Sequence, residues 1–251
     1  MDGNAAIAVN HLGVHYRAVE ALKDITLQVL PGRVTGMIGP NGAGKSSLMK
    51  AILGLIPASS GSVCYQGQAL EEQLAKVAYV PQRSQIDWTY PTIVWDVVMM
   101  GRIQKTGWFR RFSTSSRRHA QQALAKVDMS VYRNRPIGQL SGGQQQRVFL
   151  ARSLAQEAEI FLFDEPFVGV DQKTENILFQ IFHELAEAGK IVLVVNHDLG
   201  ESIANFDDLI LLNRELVAAG KRQEVLQEEY LKRAYGGKVV FFKDKQTHLA
   251  A

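Results

Sequence analysis

The amino-acid sequence predicts an α/β fold with a mostly parallel central sheet. Three short apolar runs carry this prediction, at residues 34–38, 160–163 and 191–195. Each run is nearly continuous rather than alternating, which is typical of strands covered on both faces of a parallel sheet. A glycine-rich or polar segment follows each run, and in such sheets ligands bind beyond the carboxyl ends of the strands. We therefore expect three segments that are distant in sequence to converge on one site.

The rest of the chain is arranged around these strands. Residues 1–29 alternate between apolar and polar side chains and predict an antiparallel β flap, whereas residues 85–158 are rich in helix-forming sequence. Residues 209–218 predict a short hairpin, and the tail of about residues 221–251 begins as a charged helix. We expect residues 1–251 to form one domain, with the helical part inserted into it.

Composition and charge narrow the class of protein. The chain has 251 residues, of which 46% are hydrophobic, so it can bury a sizeable core. Its formal net charge of +3 is close to balance, whereas a nucleic-acid-binding domain is usually strongly basic. The single cysteine, Cys64, excludes an intrachain disulfide and fits a reducing compartment. Because the sequence has no signal peptide and no run of about 18 apolar residues, we expect any action at a membrane to occur from the cytoplasmic face through a partner.

A glycine-rich segment follows the first apolar run and precedes a helical stretch. It fits the pattern G-x-x-x-x-G-K-[ST] throughout. Glycines let several backbone N–H groups point inward, and the following helix adds its positive end, so the segment predicts a triphosphate site. Lys45 supplies a charge for the β- and γ-phosphates, and the Ser46 hydroxyl can ligate Mg²⁺. The predicted nucleotide-binding residues of this phosphate loop are Gly39, Pro40, Asn41, Gly42, Ala43, Gly44, Lys45, Ser46 and Ser47.

Acidic and polar side chains follow the second and third apolar runs. Asp164 and Glu165 come directly after the second run. Because Mg²⁺ prefers hard oxygen ligands and keeps several waters, Asp164 is predicted to hold the hydrated ion. Glu165 can then orient a water molecule for attack on the γ-phosphate. His197 follows the third run, and we expect its imidazole to donate a hydrogen bond to the γ-phosphate.

The most specific segment is residues 140–147, with the sequence Leu-Ser-Gly-Gly-Gln-Gln-Gln-Arg. Ser141 predicts a helix cap, followed by a helix through about Ala155. Its hydroxyl and the N–H groups of the two glycines make a second helix start that suits an anion. This segment resembles the signature of the ATP-binding-cassette (ABC) family, and nearly the whole chain follows the order of motifs in that family.

The resemblance implies roles for several further residues. Tyr16 stands where the family stacks an aromatic ring on adenine, and Gln82 matches the Q-loop glutamine, with catalytic and Mg²⁺-binding roles. Asp171 matches the D-loop, His197 the switch histidine and Glu165 the catalytic base. The family also implies a head-to-tail dimer, in which each of two ATP molecules lies between the phosphate loop of one subunit and the signature of the other. The signature residues implied to contact ATP are Ser141, Gly142, Gly143 and Gln144.

Two positions depart from the family pattern. Ser47 stands where threonine is common, and residues 168–171 read Val-Gly-Val-Asp rather than Ser-Ala-Leu-Asp. Neither change removes a required functional group. We therefore expect a homodimer with two competent sites.

Parts of the sequence resemble the manganese/zinc importer branch of the family, namely residues 81–88 with 97–102, and residues 194–199. This resemblance implies ATP hydrolysis that powers import of manganese, or of zinc as the second choice, through a separate membrane permease. It also implies an extracytoplasmic solute-binding protein and no nucleic acid partner. Three alternatives stay open: the motor of an iron-chelate importer, a soluble single-cassette ATPase in cofactor assembly, and a nucleotide-binding scaffold without hydrolysis.

Aromatic and basic residues are concentrated after Gln82. Trp88 and Tyr90 predict a groove for a cytoplasmic helix of the permease, because aromatic residues are enriched at interface centres. Trp95 is predicted to lie in the core of the helical part. Residues 102–118 contain six basic and no acidic residues, and they predict a solvated loop, with contact to anionic lipid headgroups as the alternative.

Overall fold

A six-stranded sheet forms the centre of the protein. The structure is a computed structural model that describes residues 6–17, 19–107, 110–196 and 199–236. In sheet order the strands are β10 (Glu215–Lys221), β9 (Asp208–Asn213), β3 (Arg33–Ile38), β8 (Ile191–Val195), β7 (Ile160–Asp164) and β6 (Val77–Val80). Strands β9 to β6 run parallel, and β10 pairs antiparallel with β9. The three predicted strands, β3, β8 and β7, are neighbours in a mostly parallel sheet, which confirms the predicted fold class.

Burial on both faces explains why these strands read as continuous apolar runs. Every residue of β7 and β8 is buried. One face of the sheet packs against α5 (Gly142–Ala155) and α6 (Gln172–Glu187). The other face packs against α1 (Lys45–Ile52) and a second sheet. No position along these strands faces water, so no alternation of polar residues arises.

The second sheet is antiparallel and has four strands. In sheet order they are β2 (Val19–Val29), β1 (Ile7–Tyr16), β4 (Ser60–Tyr65) and β5 (Gln68–Ala69). Strands β1 and β2 confirm the predicted β flap. The sequence does not predict β4 and β5, because β4 is mostly exposed or half-buried and β5 has only two residues. Neither carries an apolar pattern long enough to recognise.

The helical part lies between β6 and β7 in the chain and confirms the predicted helix-rich segment. Besides α5 it contains α2 (Val94–Met100), α3 (Ile103–Thr106) and α4 (Thr114–Lys126). Their apolar faces join one cluster with the face of the sheet that α6 covers. Within this part, short 3₁₀ turns occur at Arg83–Gln85, Ser130–Tyr132 and Ile137–Gln139. Outside it, they occur at Leu70–Lys76 and Glu201–Asn205.

Arg102 corrects the prediction that residues 102–118 form a solvated basic loop. Its side chain is buried, and its guanidinium donates hydrogen bonds to the Ala155 carbonyl oxygen at 2.7 Å and to the Glu157 carboxylate at 2.5 Å. The sequence could not reveal this burial, because both partners lie more than 50 residues away at the end of α5. The other basic residues of the segment are exposed: Lys105, Arg110, Arg111, Arg117 and Arg118.

The last described part of the chain closes the central sheet. Strands β9 and β10 confirm the predicted hairpin, and α7 (Arg222–Val225) and α8 (Glu228–Tyr235) follow. The tail thus begins as helix, as predicted, while residues 237–251 lie outside the described residues. None of the helices in the described ranges combines the length and apolar character needed to cross a lipid bilayer.

Candidate active site

The glycine-rich phosphate loop joins β3 to α1. Gly44 immediately precedes α1 with a φ of 94°, in the left-handed region that favours glycine. A Cβ atom on Gly44 would lie 2.5 Å from Leu22 Cδ2, and one on Gly39 would lie 2.1 Å from the Leu212 carbonyl oxygen. Both positions therefore require glycine, and together they fix the path of the loop between strand and helix.

Lys45 is the first residue of α1, and its side chain turns back into the loop. The ammonium group is buried and donates hydrogen bonds to the carbonyl oxygens of Gly39 at 2.6 Å and Pro40 at 3.1 Å. Burial lowers the pKa of Lys45, while the carboxylates of Glu165 and Asp164 act in the opposite direction. A cation held against backbone carbonyls at the floor of the loop is well suited to an anionic ligand.

Asp164 ends β7 as a buried carboxylate whose oxygens accept no close hydrogen bond from the described residues. Its side chain is 1% exposed, and neither carboxylate oxygen accepts a hydrogen bond within the described part of the chain. Burial raises its pKa to about 6 and the neighbouring charge of Glu165 adds to the effect, while Lys50, Lys45 and the Tyr79 hydroxyl act in the opposite direction. Carboxylate oxygens are the hard ligands that a hydrated Mg²⁺ ion prefers, and these two are free to take that role. The residues present therefore fit the predicted metal.

Glu165 is held at the end of β7 by both backbone and side chain. Its φ is 51°, and its N–H donates to the Val195 carbonyl oxygen at 3.1 Å. The Gln82 side-chain amide donates to Glu165 Oε2 at 2.6 Å. A left-handed backbone is unusual for glutamate, and such strain is often retained at functional sites. The contact joins Gln82, which the sequence singled out only through the family resemblance, to Glu165 at the end of the neighbouring strand.

A cleft of about 320 Å³ opens over the phosphate loop. Its lining residues are Tyr16, Val19, Glu20, Ala21, Asn41, Gly42, Ala43, Gly44, Lys45, Ser46, Ser47, Glu165 and Arg214. The predicted Tyr16, the loop and Glu165 thus lie around one space. Val19, Glu20, Ala21 and Arg214 do not appear among the residues predicted from sequence. Only the position of β9 beside β3 and of β2 beside the loop reveals them.

The signature segment begins α5, as predicted. Ser141 Oγ accepts a hydrogen bond from the Gln144 N–H at 3.3 Å, and the Gln144 side chain accepts one from the Ser141 N–H at 2.9 Å. Gly143 packs so closely on α6 that a Cβ would lie 2.8 Å from Thr174 Oγ1. Asp171 caps α6 by accepting a hydrogen bond from the Thr174 N–H at 2.7 Å. The residues that line the cleft of the same chain do not include the predicted signature and D-loop residues, which are Ser141, Gly142, Gly143, Gln144 and Asp171.

Arg83, the residue after Gln82, is hydrogen-bonded to the signature helix α5. Its Nε and Nη2 atoms donate to Gln145 Oε1 at 3.2 and 2.9 Å. Gln145 is buried in α5 and also donates to the Ile137 carbonyl oxygen. Sequence reasoning does not single out Arg83, since no local pattern marks a partner 62 residues away.

The third predicted strand end is described only in part. Asn196 follows β8, and its N–H donates to the Met37 carbonyl oxygen at 2.9 Å. The predicted switch residue, His197, lies outside the described residues. The end of β8 nevertheless reaches the site, because Val195 accepts the N–H of Glu165.

Comparison with known proteins identifies the family. The sequence profile described as "ABC transporter" matches residues 22–168. An ABC transporter ATP-binding protein of Cyanophora paradoxa is 50% identical over 92% of this chain and 94% of its own. The manganese transport system ATP-binding protein MntB of Halalkalibacterium halodurans is 46% identical over 96% of each chain. The zinc transport system ATP-binding protein TroB of Treponema pallidum is 44% identical over 93% of this chain and 88% of its own. The chain therefore belongs to the ABC transporter family.

Solved structures agree with this assignment. A metal-chelate type ABC transporter in an inward-facing conformation matches with a TM-score of 0.81 and 25% identity, covering 92% of this chain and 89% of the other. The dimeric bacterial ABC transporter cassette MJ0796 matches with a TM-score of 0.76 and 27% identity, covering 86% and 98%. The protein has the α/β P-loop NTPase fold of these cassettes. It is an ATPase whose hydrolysis of ATP is coupled to transport.

Proposed function

We propose that this chain is the ATP-hydrolysing subunit of a transporter that imports a divalent metal cation through a separate membrane permease. Manganese is the first candidate for the cargo and zinc the second. The observation that carries the cargo assignment is similarity over nearly the full chain to subunits of manganese and zinc transport systems. On this proposal residues 1–251 act as one domain.

The phosphate loop binds the triphosphate of ATP in the proposed mechanism. The N–H groups at the start of α1 face the phosphates, and Lys45 neutralises the β- and γ-phosphates. Tyr16, which is 45% exposed at the edge of the cleft, stacks on adenine. Ser46, Gln82 and Asp164 hold Mg²⁺, which supplies charge neutralisation to the phosphates. The unpartnered oxygens of Asp164 support this assignment.

Glu165 is the proposed general base. Its carboxylate accepts a proton from water as the water oxygen bonds to the γ-phosphorus and the bond to the bridging oxygen of ADP breaks. The products are ADP and inorganic phosphate. The hydrogen bond from Gln82 orients the carboxylate, and the left-handed backbone of Glu165 fixes where the side chain begins. We assign His197 the contact with the γ-phosphate that the resemblance implies.

Two copies of the chain complete two ATP sites in this proposal. Ser141, Gly142, Gly143, Gln144 and Asp171 of one copy face the ATP held by the phosphate loop of the other. Support comes from their absence from the cleft lining of their own chain, and from the dimer of the related cassette. The N–H groups at the start of α5 then contact the γ-phosphate from the opposite side.

The remaining partners follow from the transport systems of the relatives. The subunit is peripheral to the membrane, and we infer that it sits on the cytoplasmic face through its permease. An extracytoplasmic solute-binding protein delivers the metal, and no nucleic acid takes part.

The proposal is tested by transport in vesicles. The chain is reconstituted with the membrane permease that copurifies with it, and ATP-dependent uptake of radioactive Mn²⁺ is measured with Zn²⁺ or a ferric chelate as competitor. We expect uptake that Zn²⁺ inhibits and a ferric chelate does not, and that Glu165→Gln abolishes. Uptake of the ferric chelate instead would favour the iron-chelate alternative, for which the metal-chelate transporter fold is the supporting observation. Failure to copurify with any membrane protein would favour a soluble ATPase.

A further inference from the structure

An unassigned arginine borders the cleft over the phosphate loop. Arg214 lies at the turn between β9 and β10 and lines the cleft together with Asn41 and Gly42. Its N–H donates to the Ala43 carbonyl oxygen at 2.8 Å, and its own carbonyl accepts the N–H of Lys23 at 2.9 Å. The turn is therefore fixed directly onto the phosphate loop, and the arginine side chain starts beside it.

The backbone of Arg214 is strained. Its φ is 60°, in the left-handed region where a Cβ is unfavourable and where glycine or asparagine is the usual choice. Arginine gains nothing locally from this conformation, because its side chain cannot bond its own turn as asparagine does. Seven other non-glycine residues in the described part of the chain also have a positive φ, so the position of Arg214 at the cleft, together with its strained backbone, carries the argument.

The guanidinium of Arg214 has no partner among the described residues. It is exposed and forms no hydrogen bond or ion pair with them. Two glutamates line the adjoining hollow: Glu215 pairs with Lys23 at 2.8 Å, and Glu20 lies 3.6 Å from His15, an ion pair only when His15 is protonated. Neither carboxylate forms an ion pair with the Arg214 guanidinium.

The charges of the cleft lining favour a second cation for a polyphosphate ligand. The lining carries two carboxylates, Glu20 and Glu165, and two cations, Lys45 and Arg214. Without Arg214 the lining would be negative on balance, which opposes the binding of a triphosphate. With it the cleft is neutral before Mg²⁺ is counted.

We propose that Arg214 binds a phosphate oxygen of ATP as a second cation beside Lys45. The proposal rests on the ATP site of the proposed function and adds one residue to it. Lys45 acts from the floor of the loop, whereas Arg214 acts from its outer rim. A guanidinium can donate two parallel hydrogen bonds to one phosphate group, which an ammonium cannot.

Titration calorimetry with the full chain tests the assignment. Arg214→Gln is expected to weaken ATP binding about tenfold, the size of one charge-assisted contact. Binding of adenosine, which carries no phosphate, is expected to be unchanged. Arg214→Lys should recover part of the lost affinity. The matched control is Arg17→Gln, since Arg17 also has a left-handed φ, of 54°, and follows Tyr16 but does not line the cleft. It should bind ATP like the wild type.

Arg214→Gly separates a ligand contact from a structural role. Glycine relieves the strained backbone, so the melting temperature of the nucleotide-free protein should rise by a few degrees while ATP affinity falls. If Arg214→Gln bound ATP as tightly as the wild type, the proposed role of Arg214 would be wrong and the proposed function would stand. Absence of ATP binding by the wild type would instead overturn the proposed function and this contact with it.

Discussion

Two buried charges, Lys45 at the start of α1 and Asp164 at the end of β7, differ in the number of hydrogen bonds that they form. Lys45 donates to two backbone carbonyls, whereas both oxygens of Asp164 lack partners among the described residues. A buried charge without partners is unfavourable, so the nucleotide-free protein holds Asp164 at the expense of stability. The two residues therefore respond differently to substitution.

Removing Lys45 should abolish function without unfolding the protein. In Lys45→Ala the triphosphate loses its main cationic partner, so we expect weak ATP binding and no measurable hydrolysis. Steady-state phosphate release and retention on immobilised ATP measure the two effects. A variant that hydrolyses ATP at the wild-type rate would contradict the assignment of the loop.

Removing the charge of Asp164 should stabilise the free protein and inactivate it. Asp164→Asn eliminates a buried charge whose oxygens accept no close hydrogen bond from the described residues, so we expect a gain of about 1–3 kcal/mol in the free energy of unfolding. Mg²⁺-dependent ATP hydrolysis should be lost in the same variant. Chemical denaturation without nucleotide gives the first quantity. A loss of stability would mean that the carboxylate has a structural partner, not a metal-binding role.

At the scale of elements, the turn after Gln82 connects the sheet with the helical part. Arg83 donates to Gln145 of α5, and Trp88 Nε1 donates to the Arg83 carbonyl oxygen at 3.0 Å. Trp88 also packs edge-on against Phe149 at 5.3 Å between ring centroids. It is thus partly core, whereas Tyr90 is 61% exposed. Trp95 is half-buried against the core, with the Arg133 guanidinium 4.2 Å from its ring.

Of the two residues predicted to form the permease groove, Trp88 therefore packs partly against its own chain, and Tyr90 is left as the exposed candidate for the interface. Tyr90→Ala should reduce metal transport in the reconstituted complex and leave stability and ATPase activity of the isolated subunit unchanged, because the ring touches little of its own chain. Trp88→Ala is the matched comparison and should destabilise the subunit by about 2 kcal/mol, less than for a fully buried aromatic residue. Thermal melting and vesicle uptake separate the two effects. Full transport by Tyr90→Ala would remove Tyr90 from the interface.

At the scale of the whole molecule, the two halves of the proposed active site lie on different elements of one chain. The phosphate loop, Asp164 and Glu165 gather at the carboxyl ends of β3 and β7. Ser141 caps the start of α5 in the helical part, and residues 141–144 are not among those that line the cleft of the same chain. A complete site on the proposed mechanism therefore needs a second chain.

The sequence predicts the parts of this arrangement that depend on local pattern. Continuous apolar runs reveal β3, β7 and β8, and their ends reveal Lys45 and Glu165. It does not predict contacts that depend on which strands become neighbours. Arg214 reaches the phosphate loop because β9 pairs with β3. Arg102 is buried because the end of α2 lies beside the end of α5, where Arg102 donates to the Ala155 carbonyl oxygen. Pairing of this kind is decided by tertiary packing rather than by local periodicity.

The oligomeric state of Glu165→Gln tests the central claim most directly. The substitution keeps the hydrogen-bonding shape of the side chain but removes its proton-accepting power, so hydrolysis should fall by about 10²–10⁴-fold while ATP still binds. Light scattering after size exclusion should then give twice the 27.9 kDa mass of one chain with ATP, and a single chain with ADP. Adding Ser141→Arg should abolish the dimer. A dimer that forms without nucleotide, or a Glu165→Gln variant that stays monomeric with ATP, would contradict the account.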